Sequence, residues 1–295
     1  MRLGRHDAVV TAMVACDGRI CSGSYDGSIR VWSRASGEQE RTLQADEEVD
    51  DDDDDDDHNK NALAVWEGRL ISGHGSGKLR VWNVATGECG QVLEGHDAAV
   101  RALAVCGSRL ASGSIDGSIR VWAMAAGDPW WCERELIGNS GGRVVSLAGW
   151  RDKVASGSDD GSIRVWDAGT GALDATLAGH SGGVRALVVH GDRLLSASRD
   201  GTIRAWALGT WAGLRTVEAY GPEERIFPWC LAVSGSKLVS GSAGPGQADV
   251  RVWGLAEFDL QQTLRQPANV NALVAVDGEV WGCSGKEVVV WGRRR

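Results

Sequence analysis

One phrase, SGSIDGSIRVW at Ser112–Trp122, is written along the chain seven times with decreasing fidelity. Close copies are SGSYDGSIRVW (Ser22–Trp32), SGHGSGKLRVW (Ser72–Trp82), SGSDDGSIRVW (Ser156–Trp166) and SASRDGTIRAW (Ser196–Trp206). Two degenerate ones are SGSAGPGQADVRVW (Ser240–Trp253) and WGCSGKEVVVW (Trp281–Trp291). The terminal tryptophans, at 32, 82, 122, 166, 206, 253 and 291, lie 38 to 50 residues apart. A period of this size marks one supersecondary unit that buries its apolar surface only by stacking on copies of itself.

The local pattern says which unit. Asp-Gly between two strand-like runs is a hairpin turn, because the turn needs positive φ. The Ser/Gly/Ala run before it is narrow, and the Ile/Val/Trp run after it is bulky. A second hairpin precedes each copy, as in VRALAVCGSRLAS (Val100–Ser112) and VRALVVHGDRLLS (Val184–Ser196). One more strand follows, with an apolar anchor 11 residues after the tryptophan at Leu43, Leu93, Leu177, Val217 and Leu264. The third unit needs 14 residues to reach Leu136. Four antiparallel strands per unit, seven units and no helical periodicity predict an all-β, seven-bladed β-propeller of four-stranded antiparallel blades.

At this point the chain resembles the WD-repeat family, over essentially its whole length. The resemblance implies a hydrogen-bonded set of loop His, strand Ser, turn Asp and Trp in each blade. By position three units carry all four members: His6/Ser22/Asp26/Trp32, His96/Ser112/Asp116/Trp122 and His180/Ser196/Asp200/Trp206. Gly-His occurs at Gly95-His96 and Gly179-His180, and Trp-Asp once, at Trp166-Asp167. The fourth unit has Asn139 at the His place and the second has Ser76 at the Asp place, while units six and seven are expected to lack the set. The chemistry stands without the family name, since a buried indole N–H and a buried hydroxyl both need partners.

Leu3 precedes His6 by three residues, as Leu93 precedes His96, so the chain begins on an outermost strand. It reaches Trp291 on a third strand. Residues 1–6 are therefore expected to complete the last blade and close the ring, removing the open sheet edges. The whole span 1–295 reads as one propeller domain.

The net charge of −9 disfavours a general nucleic-acid role. It is unevenly placed: Asp46–Asp57 holds 11 of the 40 acidic residues, leaving 29 against 31 Lys and Arg. The segment 46–60 is expected to be an acidic disordered loop between blades one and two. It reads as a solvated low-complexity loop, as a lure for a basic partner such as a histone-like tail, or as a weak divalent-cation chelator without the Gly-punctuated spacing of a calcium loop. Seven cysteines with no C-x-x-C read as reduced small core residues of a cytoplasmic or nuclear protein, with Cys16 and Cys21 able to face each other across a hairpin. The apolar run Ala8–Cys16 is too short for a secretory leader or membrane span.

Two surfaces are candidate partner sites. The resemblance places the residues entering each inner strand at the top mouth of a central channel: Thr11, Asn61, Arg101, Val145, Arg185, Trp229 and Asn271. With Tyr25 and Arg199 further out, Arg101, Arg185 and Trp229 make a basic-aromatic cluster suited to an acidic or phosphorylated peptide. The other readings are ordinary solvated surface, or a mouth masked by the acidic loop. On the opposite face, Trp130 and Trp131 of the GDPWW extension and Trp150 are expected to sit together, with Trp211 pointing the same way. They serve there as an interface or as a shield for the ring. The Arg two residues before each repeat Trp (30, 80, 120, 164, 204, 251) reads as a packed stem with a wet tip.

No Gly-x-Ser-x-Gly elbow, His-Glu-x-x-His or phosphate loop is present, so catalytic residues, metal and cofactor are all expected to be absent. The resulting expectation is a non-catalytic scaffold that binds proteins or peptides, itself a monomeric propeller within a larger complex. The alternatives are a substrate-recruiting subunit of a ubiquitin ligase, although Trp166-Asp167-Ala168-Gly169 lacks the adaptor-docking Trp-Asp-x-Arg, or a chromatin adaptor acting through the acidic loop.

Overall fold

The computed structural model describes residues 2–44, 61–124, 129–137 and 142–291. The expected acidic loop 46–60, Asn139, Gly127 and Asp128 of the GDPWW extension, and the tail Arg293–Arg295 lie outside the described residues.

The described residues form seven four-stranded antiparallel sheets. In the third the order from inside to outside is Val100–Cys106, Arg109–Ser114, Ser118–Ala123 and Trp131–Ile137. The inner strands of successive sheets touch all the way round, and the last, Leu273–Val276, touches the first, Val10–Cys16. Strand Arg2–Arg5 pairs antiparallel with Glu287–Trp291, setting Gly4 opposite Val288, and so supplies the outer strand of blade seven. The ring is closed by joining the two ends of the chain.

Alternation along SIRVW explains why the blades stack. Successive side chains of a strand point to opposite faces, and here both faces are covered by neighbours. Ile163 and Val165 of blade four pack forward on Val184, Leu194 and Trp206 of blade five. Trp166 packs back on Ile119, Val121 and Leu136 of blade three. The same handover recurs between blades five and six and, across the closure, between Trp32 and the pair Val288 and Val290. The core is therefore a circle of inter-blade layers.

The small residues before each turn let the layers close near the axis. A Cβ on Gly73, Gly113 or Gly241 would stand 2.4 to 2.5 Å from a γ-carbon of Val100, Val144 or Val270 at the entry to the next inner strand. At that separation the neighbouring valine and its backbone must shift.

The cysteines do not pair. The first hairpin sets Cys16 opposite Arg19 and Cys21 opposite Val14, so the two thiols do not face each other across the sheet. The cause is the two-residue turn at Asp17-Gly18, which centres the register between Cys16 and Arg19. All seven cysteines are free thiols.

Candidate functional site

Three blades contain a continuous donor–acceptor chain. Trp32 Nε1 donates to Ser22 Oγ at 2.8 Å, Ser22 Oγ lies 2.7 Å from His6 Nε2, and His6 Nδ1 lies 3.2 Å from Asp26 Oδ2. The corresponding distances are 2.8, 2.7 and 3.0 Å through Trp122, Ser112, His96 and Asp116. They are 2.9, 2.8 and 2.9 Å through Trp206, Ser196, His180 and Asp200. A serine hydroxyl has one proton. Having accepted from the indole it donates to Nε2, which leaves the proton of a neutral imidazole on Nδ1, facing the carboxylate. The same carboxylates accept the backbone N–H of Asp7, Asp97 and Ser181, tying each incoming loop to its hairpin turn. Burial alone would raise the pKa of these three Asp groups. The His, hydroxyl and backbone donors around each outweigh it and hold the carboxyl well below the usual range.

Blades two and six depart from the pattern without losing the bond to the tryptophan. In blade two, His74 turns in from the hairpin itself, its Nε2 2.7 Å from Ser72 Oγ, which accepts from Trp82 Nε1 at 2.8 Å. In blade six the expectation of a missing set needs correction. Tyr220 puts its hydroxyl 3.3 Å from Ser240 Oγ, which accepts from Trp253 Nε1 at 3.0 Å. Tyr220 follows Val217 by three residues, the offset of His96 from Leu93, so the spacing held the signal and only the residue type hid it. Arg251 corrects the wet-tip reading in the same blade. It is buried, lies 4.1 Å from the Tyr220 ring centroid, and pairs with Asp249 and Glu224. In blade seven Trp281 takes the serine position, fully buried, and its Nε1 donates to Glu279 at 3.1 Å.

The channel mouth has a volume of about 240 Å³, and Thr11, Asn61, Arg101, Val145, Arg185, Trp229 and Asn271 all line it. Its charge lies on one side. Arg185 is nearly buried, with its guanidinium 5.0 Å from the Trp229 ring centroid and 2.7 Å from Asp159. Arg199 is exposed and lies 5.8 Å from the Trp229 ring and 5.6 Å from that of Phe227, which itself packs on Trp229 at 5.7 Å. Arg101 and the exposed Arg143 line the same mouth from blades three and four. Arg143 escaped the sequence reading because it precedes the inner strand by one residue. Tyr25 is not among the lining residues. It sits partly buried in the turn of blade one, its N–H bonded to Val9. Loop Gly221–Ile226 leads into the aromatic pair: Ile226 is buried in the layer with Leu195 and Tyr220, and Gly246 of the GPG turn donates to Arg225 O.

On the opposite face the tryptophans form two pairs rather than one cluster. Trp130 is buried edge-on against Trp66 at 4.4 Å, and Trp150 meets Trp211 at 5.8 Å with Arg151 stacked on it. Trp131 alone stays out, 46% exposed. Trp130 precedes the strand Trp131–Ile137, and Gln91 fixes its backbone, donating to its C=O and accepting its N–H at 3.0 Å each, so its ring is held on Trp66 while Trp131 begins the outer strand.

Among the described residues no group of three His, Cys, Asp or Glu is placed to hold a metal ion. Nor is any helix among the described residues long and apolar enough to cross a membrane.

Seven blades in a closed ring, four of them carrying a His-Ser-Trp set, define a WD-repeat propeller. The family model "WD domain, G-beta repeat" matches residues 1–33, 87–123, 130–167 and 171–207, and the chain belongs to that family. No curated protein matches it in sequence. Among solved structures it is similar to that of U3-55K, with 21% identity, a TM-score of 0.83, and 98% of this chain and 97% of that one covered. A crystal structure of RRP9 WD40 repeats is similar to the same degree, with 21% identity, TM-score 0.83 and coverage of 98% and 96%. The computationally designed Ika8 protein is similar with 27% identity, TM-score 0.71 and coverage of 98% on both sides. At these identities the likeness is one of fold.

Proposed function

We propose that the chain is a non-catalytic protein-interaction scaffold whose channel mouth takes an acidic or phosphorylated segment of a partner. The observation that carries this reading is the pairing of Arg185 with both Trp229 and Asp159, with Arg101, Arg143 and Arg199 around it. A stacked guanidinium is oriented before a ligand arrives, which reduces the ordering cost of binding. The aromatic pair Phe227–Trp229 adds an apolar wall beside the charge.

The test is fluorescence anisotropy with labelled acidic peptides, serine-containing and phosphoserine versions side by side. The Arg101→Glu/Arg185→Glu chain is expected to bind at least thirtyfold more weakly. Binding by the unaltered chain should weaken as salt is raised, because exposed charges are screened. Equal affinity in the two chains refutes the mouth as the site. Affinity purification with both as baits then asks which cellular partners depend on it.

A further inference from the structure

The repeat arginine of blade five has no acceptor. Its equivalents do: Arg30 pairs with Asp7, Arg120 with Glu135, Arg164 with Asp160 and Arg251 with Asp249. Among the described residues Arg204 makes no hydrogen bond or ion pair; its Nε is buried without a partner, as are those of Arg30, Arg80 and Arg120, and the absent ion pair is what sets it apart. A buried guanidinium N–H left unpaired is costly, because its water has been removed and nothing has replaced it. The side chain is nevertheless held in place. A Cβ on Gly179 would stand 2.5 Å from Arg204 Nη1, so the guanidinium lies flat on that glycine, as Arg120 lies on Gly95.

Beside it is a cavity of about 330 Å³ on the outer edge of blade five, lined by Arg204, Arg215, Thr216, Leu214, Gly213 and Trp206. No acid lines it. Glu218 stands opposite Thr202, further along the sheet, and makes no ion pair with Arg204. Blades one, three, four and six supply the acceptor in two ways. Arg30, Arg164 and Arg251 face Thr42, Thr176 and Thr263 across the sheet and pair instead with Asp7, Asp160 and Asp249 from a loop, a turn or the start of the same strand. In blade three the residue opposite Arg120 is Glu135, and its carboxylate lies 3.2 Å from Arg120 Nη2. Blade five has neither source: Thr216 stands opposite Arg204, Ser181 follows His180 where Asp7 follows His6, and the turn Asp200 faces His180. Leu214, next to the cavity, is 52% exposed, and Gly213–Glu218 is the outermost strand of its sheet, with one edge unpaired.

We propose that this cavity takes a glutamate or aspartate side chain from a partner polypeptide lying along the outer strand of blade five. The carboxylate would serve Arg204 from outside as Glu135 serves Arg120 from within, Arg215 would strengthen the field, and an apolar neighbour on the partner would cover Leu214. The site is on the rim and is independent of the channel mouth.

The test uses the full chain and a terminally blocked peptide alternating leucine, threonine and glutamate. The Nε–H signal of Arg204 is followed by ¹⁵N–¹H correlation. The peptide is expected to shift that signal in a saturable way, and its glutamine version is not. Arg204→Gln should weaken binding at least tenfold, read from the neighbouring Gly213 and Thr216 amides. Thr216→Glu should abolish it while restoring an internal partner, and this variant decides the matter if Arg204→Gln fails to fold. Arg101→Glu/Arg185→Glu should leave the response intact. A response unchanged by Thr216→Glu overturns the proposal. So does a signal that moves with inorganic phosphate but not with the peptide.

Discussion

Tyr220 places its hydroxyl 3.3 Å from Ser240 Oγ, where blades one, three and five set a histidine Nε2 against the matching serine. A phenol thus stands where an imidazole does elsewhere, with the Arg251 guanidinium 4.1 Å from its ring centroid. Tyr220→Phe is expected to cost about 1 kcal/mol, one hydrogen bond. Tyr220→Ala should cost about 3 to 5 kcal/mol, since it also empties a packed site. Urea denaturation followed by tryptophan fluorescence measures both.

The three low-pKa carboxylates Asp26, Asp116 and Asp200 make the ring acid-sensitive. An Asp in the unfolded chain titrates near pH 4. In the fold each titrates lower, so the stabilisation is complete above about pH 4 and is lost as pH falls through the folded values. The Asp26→Asn/Asp116→Asn/Asp200→Asn chain should be less stable at pH 7 and show a shallower loss between pH 4 and 2.5. Parallel slopes in that window would contradict the assignment.

Removing Met1–Arg5 takes away the strand that closes blade seven. Leu3 packs in the layer with Trp32 and Trp281, so at least about 2 kcal/mol of burial is lost. Strand Glu287–Trp291 becomes an open edge. The expected result is a lower Tm with concentration-dependent aggregation, read by calorimetry and light scattering.

Gly149, on the inner strand of blade four, faces the backbone of Val105 on the inner strand of blade three. A Cβ there would be 1.8 Å from Val105 O, a backbone atom that cannot swing aside. Gly149→Ala should therefore destabilise by about 3 kcal/mol, whereas alanine at Gly90, with nothing closer than 3.6 Å, serves as the control. Their urea midpoints should differ accordingly.

Thiol reactivity should sort by burial. Desolvation pushes Cys21 and Cys106 up to about 12 and Cys283 to about 11, leaving little thiolate at neutral pH. Cys89 is exposed. An aromatic disulfide reagent at pH 7.5 should show a fast phase that Cys89→Ser removes, with the buried thiols reacting only in denaturant.

Much of this was legible before any coordinates. Asp-Gly turns, period-two runs and recurring tryptophans specify strands, hairpins and their number, because these signals act within a few residues. The offset of three from Leu3 to His6 carried the closure of the ring. The mouth-lining positions Arg101, Arg185 and Trp229 followed from lining up the units, since equivalent residues of a radial repeat occupy equivalent places.

What a residue faces was decided only by the tertiary structure. Tyr220 and His74 complete sets that the repeat pattern left open, because a hydrogen bond asks for an atom in a place and not for a residue type. Trp130 and Trp131 are neighbours in sequence, yet one is buried on Trp66 and the other reaches solvent, since Gln91 of blade two holds the backbone of Trp130 just before the strand begins. Arg30, Arg120, Arg164, Arg204 and Arg251 are written alike, but only Arg204 is left without an acceptor. Blade three supplies Glu135 from the next strand and blades one, four and six supply Asp7, Asp160 and Asp249 from a loop, a turn or the same strand, while blade five brings no acid to Arg204. The chain by itself determined the blade and its repetition, which are local and periodic. The pairing between blades belongs to the closed ring, where residues far apart in sequence meet at fixed register.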